Sequence, residues 1–527
     1  MNTKFLIGSA ILSILQASTA TGSVSVKKYP KPNILILLAD DLGYGDVQCY
    51  NPQRGKILTP NIDRLSSQGM RFTDGHSSSA VCSPSRYTLL TGRYHWRTRL
   101  QSGIVNVFGE PLIAPDRLTI ASLVKPLGYK TACIGKWHLG WDWPIDIAQR
   151  KLFQFAPFKG QDEETIAATP AQLDGWQQIF SKPITGGPTT RGFDSYFGTD
   201  VPNWPPFCFI ENDRTLGIPS ELLPPKDLRK NLASLPGPAL KDWKLERILP
   251  TLVDRAIIFI EESSKDPNPF LLYLPLTAPH TPLAVNDPWR GKSGLIPYAD
   301  FVMETDAMVG RILDALEKSG AAGNTLVIFT SDNGCAPYIG IETLEEMGHF
   351  PSGPLRGYKG DAWEGGHRVP FIVRWPGVVK PGCISDQLVH QADFMATFAD
   401  ILGLKLPDTA GEDSYSILPL LKGKDKPTRI HAVSCALTGT PSVRDGKWKL
   451  LLGSGSSNMS KARDDKTIKL FDLAADPGER INLATQHPLQ VTKMKEYLEE
   501  IIEKGRSTSG ESQKNDTNIL RYPMANK

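Results

Sequence analysis

Seven cysteines are present, yet none stands in a Cys-x-x-Cys pair, so neither a zinc ribbon nor a dithiol redox site is signalled. An excess of charge of one sign is also missing. Fifty-nine Lys and Arg face 56 Asp and Glu, for a net charge of +3. That balance argues against nucleic acid as a partner and against attraction to a membrane surface. Apolar runs long enough to span a bilayer are absent, so no membrane span is expected. No internal repeat is found. What remains is an ordinary globular composition, 40% hydrophobic and 22% charged, in a chain long enough for one large domain and a smaller one.

The N-terminus reads as a targeting segment. Lys4 precedes an apolar run from Phe5 to Leu15, and Ser18-Thr19-Ala20 supplies the small residues of a cleavage site. A signal peptide over residues 1–20 implies an exported protein, periplasmic or secreted. No Cys follows the run, so no lipid anchor is expected. An oxidising compartment permits disulfides, and the odd number of cysteines leaves room for one special Cys.

Short apolar runs end abruptly in polar residues. Asn33 to Leu38 runs into Asp40-Asp41, and Lys130 to Ile134 into Lys136-Trp137-His138. Phe270 to Leu276 runs into Ala278-Pro279-His280, and Leu326 to Phe329 into Asp332-Asn333. Phe371-Ile372-Val373 ends at Arg374. Such runs suit strands buried on both faces. Helical stretches at 252–262 and 304–318 alternate with them, the second carrying Met308, Val309, Ile312, Leu313 and Leu316 on one face. The expectation is an α/β fold with a large central mixed, mostly parallel sheet and helices on both faces. Polar residues at the strand ends then gather where ligands bind in such sheets.

Pro407, Gly411, Pro419 and Gly423 mark a boundary. The catalytic domain is placed at 28–410 and a C-terminal α+β subdomain with an antiparallel sheet at 411–506. Strands are expected at 432–434 and 448–452, and a closing helix at 488–504. Residues 507–527 read as a loose polar tail. Residues 141–190, rich in Pro and Gly, read as long loops at the rim of a site.

Cys82 begins Cys82-Ser83-Pro84-Ser85-Arg86. Pro84 fits a first helical turn, which puts Cys82 where free N–H groups favour an anion. Arg86, one turn on, can return to the same anion. Asp40, Asp41, Asp332 and Asn333 offer oxygen donors only, which suits calcium, or magnesium as second choice. Lys136 and His138 share one side of an extended segment. His280 lies between prolines after a strand, and Lys359 lies in a Gly-rich loop. Taken singly, Cys82 also reads as a buried structural thiol, and each acidic pair as a turn or helix cap.

Together these segments resemble the type I, arylsulfatase-like sulfatases of the alkaline phosphatase superfamily. The resemblance rests on Cys82-Ser-Pro-Ser-Arg86 with Leu90-Thr91-Gly92-Arg93, Asp40 to Asp46, and Gly135 to Gly140. It continues through Ala278 to Pro282, Thr330 to Gly334, Trp363 to Gly366, and the ending Leu470 to Leu473, Asp476-Pro477 and Asn482-Leu483. It covers about Pro32 to Ala484. It implies that Cys82 becomes formylglycine through a formylglycine-generating or sulfatase-maturating enzyme. It implies a metal ion on Asp40, Asp41, Asp332 and Asn333, and active-site roles for Arg86, Lys136, His138, His280 and Lys359. The substrate implied is a sulfated carbohydrate, since Pro205-Pro206 and Ile210 to Arg214 are similar to bacterial polysaccharide sulfatases. A phosphomonoester or phosphonate monoester hydrolase of the same superfamily is the first alternative. An inactive carbohydrate-binding protein of this fold is the second.

For substrate choice the rim loops stand out. Asn203 substitutes for a polar residue of the family, and Trp204, Trp141, Trp143 and Phe207 offer flat faces to a sugar ring. Arg214, Arg191 and His367 offer cations to neighbouring anionic groups.

Overall fold

In the computed structural model, the run after Pro32 forms the strand Asn33–Ala39, buried at every position after Asn33. It pairs in parallel with Phe270–Pro275 on one side and Thr325–Ser331 on the other. Lys130–Lys136 and Ser195–Thr199 extend the parallel set. Phe371–Arg374 joins antiparallel beyond Thr325–Ser331, and the whole is a ten-stranded mixed sheet. The structure describes residues 31–153, 167–229, 231, 233–460 and 464–522. The expected signal segment 1–20 lies outside them.

Alternation along each strand feeds two cores. Leu35 and Leu37 face one, with the helices Ile248–Ser263 and Pro297–Lys318. Ile34, Ile36 and Leu38 face the other, with Cys82–Thr91 and Phe394–Leu402. Both faces are therefore covered by helices, which is why the strands are apolar at nearly every position. The helix expected over 304–318 begins earlier, with Pro297 in its first turn.

The C-terminal sheet is antiparallel, in the order His431–Cys435, Pro441–Asp445, Trp448–Leu451, Lys469–Asp472. The helix Pro488–Glu503 packs Met494, Leu498 and Ile501 against Val433, Val443 and Leu450. Tyr94 and Trp96, just past the Cys82–Thr91 helix, join the same core.

Two expectations are corrected. Residues 141–190 are not all loop, because a helix spans Pro170–Phe180. Thr169 caps it and Gln172 returns the bond, while Trp176, Ile179 and Phe180 are buried. Gly175 and Pro170 disguised that stripe; residues 154–166 of this stretch lie outside the described ones. Nor is the whole tail loose. Asp516 binds the buried Arg93 from both carboxylate oxygens, and Asn515 accepts from Arg97.

Candidate active site

The polar residues that end the parallel strands meet at one edge of the sheet. Asp40 and Asp41 follow Ala39, Asp332 follows Ser331, and Lys136 is the last residue of its strand. Main-chain bonds tie these ends together. Asp332 N–H donates to Ala39 O at 3.1 Å, and Asp40 N–H to Ala278 O at 3.1 Å. Asp41 adopts φ 65°, a left-handed conformation uncommon outside glycine, and its N–H donates to Asp332 Oδ1 at 3.2 Å.

Cys82 opens the helix Cys82–Thr91, so its side chain stands at a helix N-terminus. Arg86, on the same helix, donates Nε and Nη2 to Asp332 Oδ2 at 3.1 and 2.8 Å. Lys136 Nζ lies 2.8 Å from Asp40 Oδ2, and Lys359 Nζ 2.6 Å from Asp41 Oδ2. His280 Nε2 lies 3.5 Å from that same oxygen of Asp41. One ligand atom each from Asp40, Asp41, Cys82 and His280 falls within 4.8 Å of the others. All ten residues expected here from sequence, the six catalytic and the four metal-binding, are brought together and buried.

The donor set fits a hard cation. Asp40 Oδ1 and Asn333 Oδ1 are buried without a hydrogen-bond partner, a costly state that an ion relieves. Burial and the neighbouring Asp40 push Asp332 up to about 7, the response of a carboxyl crowded by another carboxylate. Burial opposes charge on Asp40 too, but the ammonium of Lys136 and the guanidinium of Arg86 hold its carboxyl well below the usual range. Burial also opposes charge on Lys359, yet the adjacent Asp41 carboxylate raises it well above normal, so it stays an ammonium.

A cavity of about 160 Å³ opens above this floor, lined by Cys82, His138, His280, Lys359, Asn203, Trp204 and Tyr338 among others. Trp204 meets the His138 ring edge-on, with centroids 5.7 Å apart. His138 Nε2 lies 3.0 Å from Val105 O, while its Nδ1 is buried and has no hydrogen-bond partner. Only a protonated Nε2 can donate to a carbonyl, which leaves Nδ1 as the free base. Burial, with Lys136 and Arg86 nearby, keeps His138 well below its ordinary range and thus neutral.

Comparison with known proteins settles the family. Residues 32–404 match the sulfatase family, and 359–507 match the C-terminal region of N-sulphoglucosamine sulphohydrolase.

The chain belongs to the sulfatase family.

It is 33% identical over 510 residues to an N-acetylgalactosamine-6-O-sulfatase of Bacteroides thetaiotaomicron, covering 89% of this chain and 93% of that protein. It is 32% identical to arylsulfatase A of Bos taurus, covering 89% and 87%. A solved sulfatase from Bacteroides thetaiotaomicron, studied in connection with metabolism of multiple glycosaminoglycans, superposes with TM-score 0.76 at 32% identity, covering 89% and 99%. The ten-stranded sheet with its small antiparallel partner is thus the alkaline phosphatase-like sulfatase architecture, and the protein is a sulfuric ester hydrolase.

The rim residues divide. Asn203 and Trp204 border the cavity, and both side chains donate to Ala233 O at 2.8 Å. Arg214 sits exposed on the short hairpin of Ile210–Glu211 and Arg214–Thr215, and it does not line the cavity. His367 is corrected. It is fully buried, bonded to His76 and to Ala362 O, and faces no solvent. It belongs to a network in which Lys449 pairs with Glu364 and Glu479, and Arg444 with Asp74. His76, Glu364 and His367 converge closely enough for a metal, but the adjacent ammonium and guanidinium groups already neutralise the carboxylates. Trp141 and Phe207 are buried, and Arg191 is buried against Ile113 O. These three anchor loops to the body. Trp143 packs edge-on against Phe108 and Phe180.

Sequence reasoning missed Tyr338, Ile104, Leu437 and Met459, which line the cavity, and Asp200, which supports it from behind. Nothing in their local pattern marks them, because each arrives on a separate irregular segment.

Proposed function

We propose that this sulfatase removes sulfate from a sulfated glycan, using position 82 as nucleophile after oxidation of Cys82 to formylglycine. One divalent ion, calcium in preference to magnesium, is held by Asp40, Asp41, Asp332 and Asn333. The observation that carries this reading is the convergence of Cys82, at a helix N-terminus, with three carboxylates and three cations in one buried floor. The relatives that act on N-acetylgalactosamine 6-O-sulfate and on glycosaminoglycans support a carbohydrate substrate.

The charges explain the need for an ion. With all three carboxylates ionised, Asp40, Asp41 and Asp332 offset Arg86, Lys136 and Lys359, so the side chains alone offer no surplus positive charge to a sulfate. A dication held by Asp40, Asp41, Asp332 and Asn333 would supply that surplus charge, to hold the sulfate and to stabilise charge on its oxygens in the transition state. Formylglycine at position 82, once hydrated, would supply two hydroxyls, one to displace the alcohol from sulfur and one whose deprotonation would expel sulfate and restore the aldehyde.

The chain's own groups move the protons. Lys359, held as an ammonium, can give a proton to the leaving alcohol. His280 is the alternative acid. Burial brings it down to about 4 even with the Asp41 carboxylate 3.5 Å away, which makes Lys359 the better supplied donor. His138 Nδ1 accepts the proton from the second hydroxyl.

Cys82 is only 2% exposed, so a maturating enzyme must reach it before folding closes the site. Export, from the segment at 1–20, fits such an order of events. Among the described residues, no helix is long and apolar enough to cross a membrane. Peptide mass spectrometry of the active protein tests the reading: an aldehyde at position 82 is expected, and an intact thiol throughout a fully active sample refutes it.

A further inference from the structure

We infer that Asp200 is a positioning residue for His138, its carboxylate holding the backbone turn that aims His138 Nδ1 into the sulfate pocket. The inference rests on the reading of His138 as the base.

It begins where the sheet stops. Lys130–Lys136 pairs in parallel with Ser195–Thr199, ending at Lys136 opposite Thr199. Trp137 N–H still finds Thr199 O at 3.1 Å. One residue later the chain turns away, and His138 takes φ 52°. That left-handed conformation is unfavourable for a residue with a Cβ and persists only where the surroundings enforce it. The turn also carries His138 N–H beyond the ladder, into a buried place where an unpaired donor is expensive.

Asp200, the first residue past its strand, meets that donor. Its Oδ1 accepts from His138 N–H at 3.2 Å and from Trp141 Nε1–H at 3.2 Å. One carboxylate oxygen thus ties both ends of the His138–Trp141 turn. Across the turn, Trp137 Nε1–H donates to Gly140 O at 3.1 Å. Gly140 has φ 84°, and a Cβ there would lie 2.1 Å from Glu110 O, so the turn is pressed against the body as well.

The ring is then fixed at three points. Its backbone is held by Asp200, its Nε2 by Val105 O, and its edge by Trp204. Only Nδ1 is left over, and it carries the free lone pair. Without the carboxylate, the strained φ loses its main restraint and the ring can swing off its line to position 82.

The test compares Asp200→Ala, Asp200→Asn and His138→Ala in the matured enzyme, on a small aryl sulfate. Two quantities are read: kcat with KM, and the pre-steady-state burst of alcohol. With Asp200→Ala, kcat should fall about 10- to 100-fold, as for a misplaced catalytic group, and KM should fall with it so that kcat/KM holds within about twofold, because only the step after alcohol release is slowed. A burst near one alcohol per enzyme followed by slow turnover should appear, as with His138→Ala. Asp200→Asn keeps an oxygen that accepts the same two N–H groups, and should stay within about threefold of the parent. Should Asp200→Ala not fold, Asp200→Glu, which shifts the acceptor by one methylene, should give the same burst and slow phase. An unchanged kcat in Asp200→Ala overturns the inference. So does a loss without a burst while His138→Ala shows one, or an Asp200→Asn as impaired as Asp200→Ala. No burst in His138→Ala itself refutes the base assignment, and the positioning role with it.

Discussion

Lys359 Nζ and Asp41 Oδ2 stand 2.6 Å apart although 318 positions separate the two residues in the chain. A proposed proton donor and a proposed metal ligand therefore share one buried ion pair, and variants at the two positions should behave differently. Lys359→Ala removes a competing cation but leaves the carboxylate. It should retain the rise in Tm caused by calcium while kcat falls about 10²- to 10³-fold. Asp41→Ala should lose both activity and the calcium response. Loss of the calcium response in Lys359→Ala as well contradicts this division of roles.

Chelation should silence the enzyme reversibly. A free calcium concentration about a hundredfold above Kd adds about 2.7 kcal/mol of stability to a protein that binds it only when folded. Thermal melts with and without calcium should show a matching rise, larger than magnesium gives at equal concentration. A melt indifferent to both ions argues against the site on Asp40, Asp41, Asp332 and Asn333.

Cys82→Ser should leave the fold intact, since the position sits in a helix that buries all ten of its residues and a hydroxyl is no larger than a thiol. A lone hydroxyl has no second one to expel the sulfate. The variant should release alcohol once and then stall, with sulfate retained on the peptide that contains position 82. Sustained turnover in this variant removes the reason for formylglycine.

Asp200 makes folding stability depend on pH. Burial raises it to about 6, against 3.8 for an unperturbed carboxyl, and the bonds from Trp141 and His138 only partly offset this. A raised carboxyl contributes stability that is complete below its unfolded value and is lost as pH climbs through its folded value. The window is therefore roughly pH 4 to 6, and the loss on the order of 3 kcal/mol. Asp200→Asn does not titrate. Its Tm should gain on that of the parent as pH rises from 4 to 7, and a gap that stays constant over this range contradicts the assignment.

Substrate choice should follow the cavity wall. Trp204 borders the cavity and Arg214 does not. Trp204→Ala should lower kcat/KM on a sulfated oligosaccharide, with 6-O-sulfated N-acetylgalactosamine as the first substrate to try, more than on an aryl sulfate. Arg214→Ala should change neither. A selective loss in Arg214→Ala extends the substrate path to the hairpin.

Outside the cavity lining, Lys449 Nζ lies 3.0 Å from Glu364 Oε1 and 2.7 Å from Glu479 Oε1, all three side chains being fully buried. Lys449→Met leaves Glu479 without its cation, while Glu364 keeps Arg368 and Arg444 at 3.3 and 3.5 Å. It should destabilise the protein by about 3–5 kcal/mol, read as a drop in denaturant midpoint at unchanged m-value. A stable variant means that Glu479, pushed up to about 7 by burial and by Glu364, simply takes a proton instead.

The sequence by itself determined the strands and much of the floor. Runs such as Asn33 to Leu38 are buried on both faces, and a parallel sheet forces the polar residues after each run to one edge. Asp40, Asp41, Lys136 and Asp332 were legible for that reason, and the motifs around Cys82, His280 and Lys359 placed the rest. Tertiary structure alone decided which rim residues reach the cavity. His367 follows Trp363-Glu364-Gly365-Gly366 as plainly as Lys359 follows Gly357-Tyr358, yet one is sealed beside His76 and the other faces position 82. His367 closes a short helical turn, Glu364–His367, whose direction is set by what packs behind it, here the C-terminal sheet with Lys449 and Arg444. Asp200 was silent for the same reason. Its meaning lies in an N–H sixty-two residues away in the chain, exposed by a backbone turn that no pattern of side chains announces.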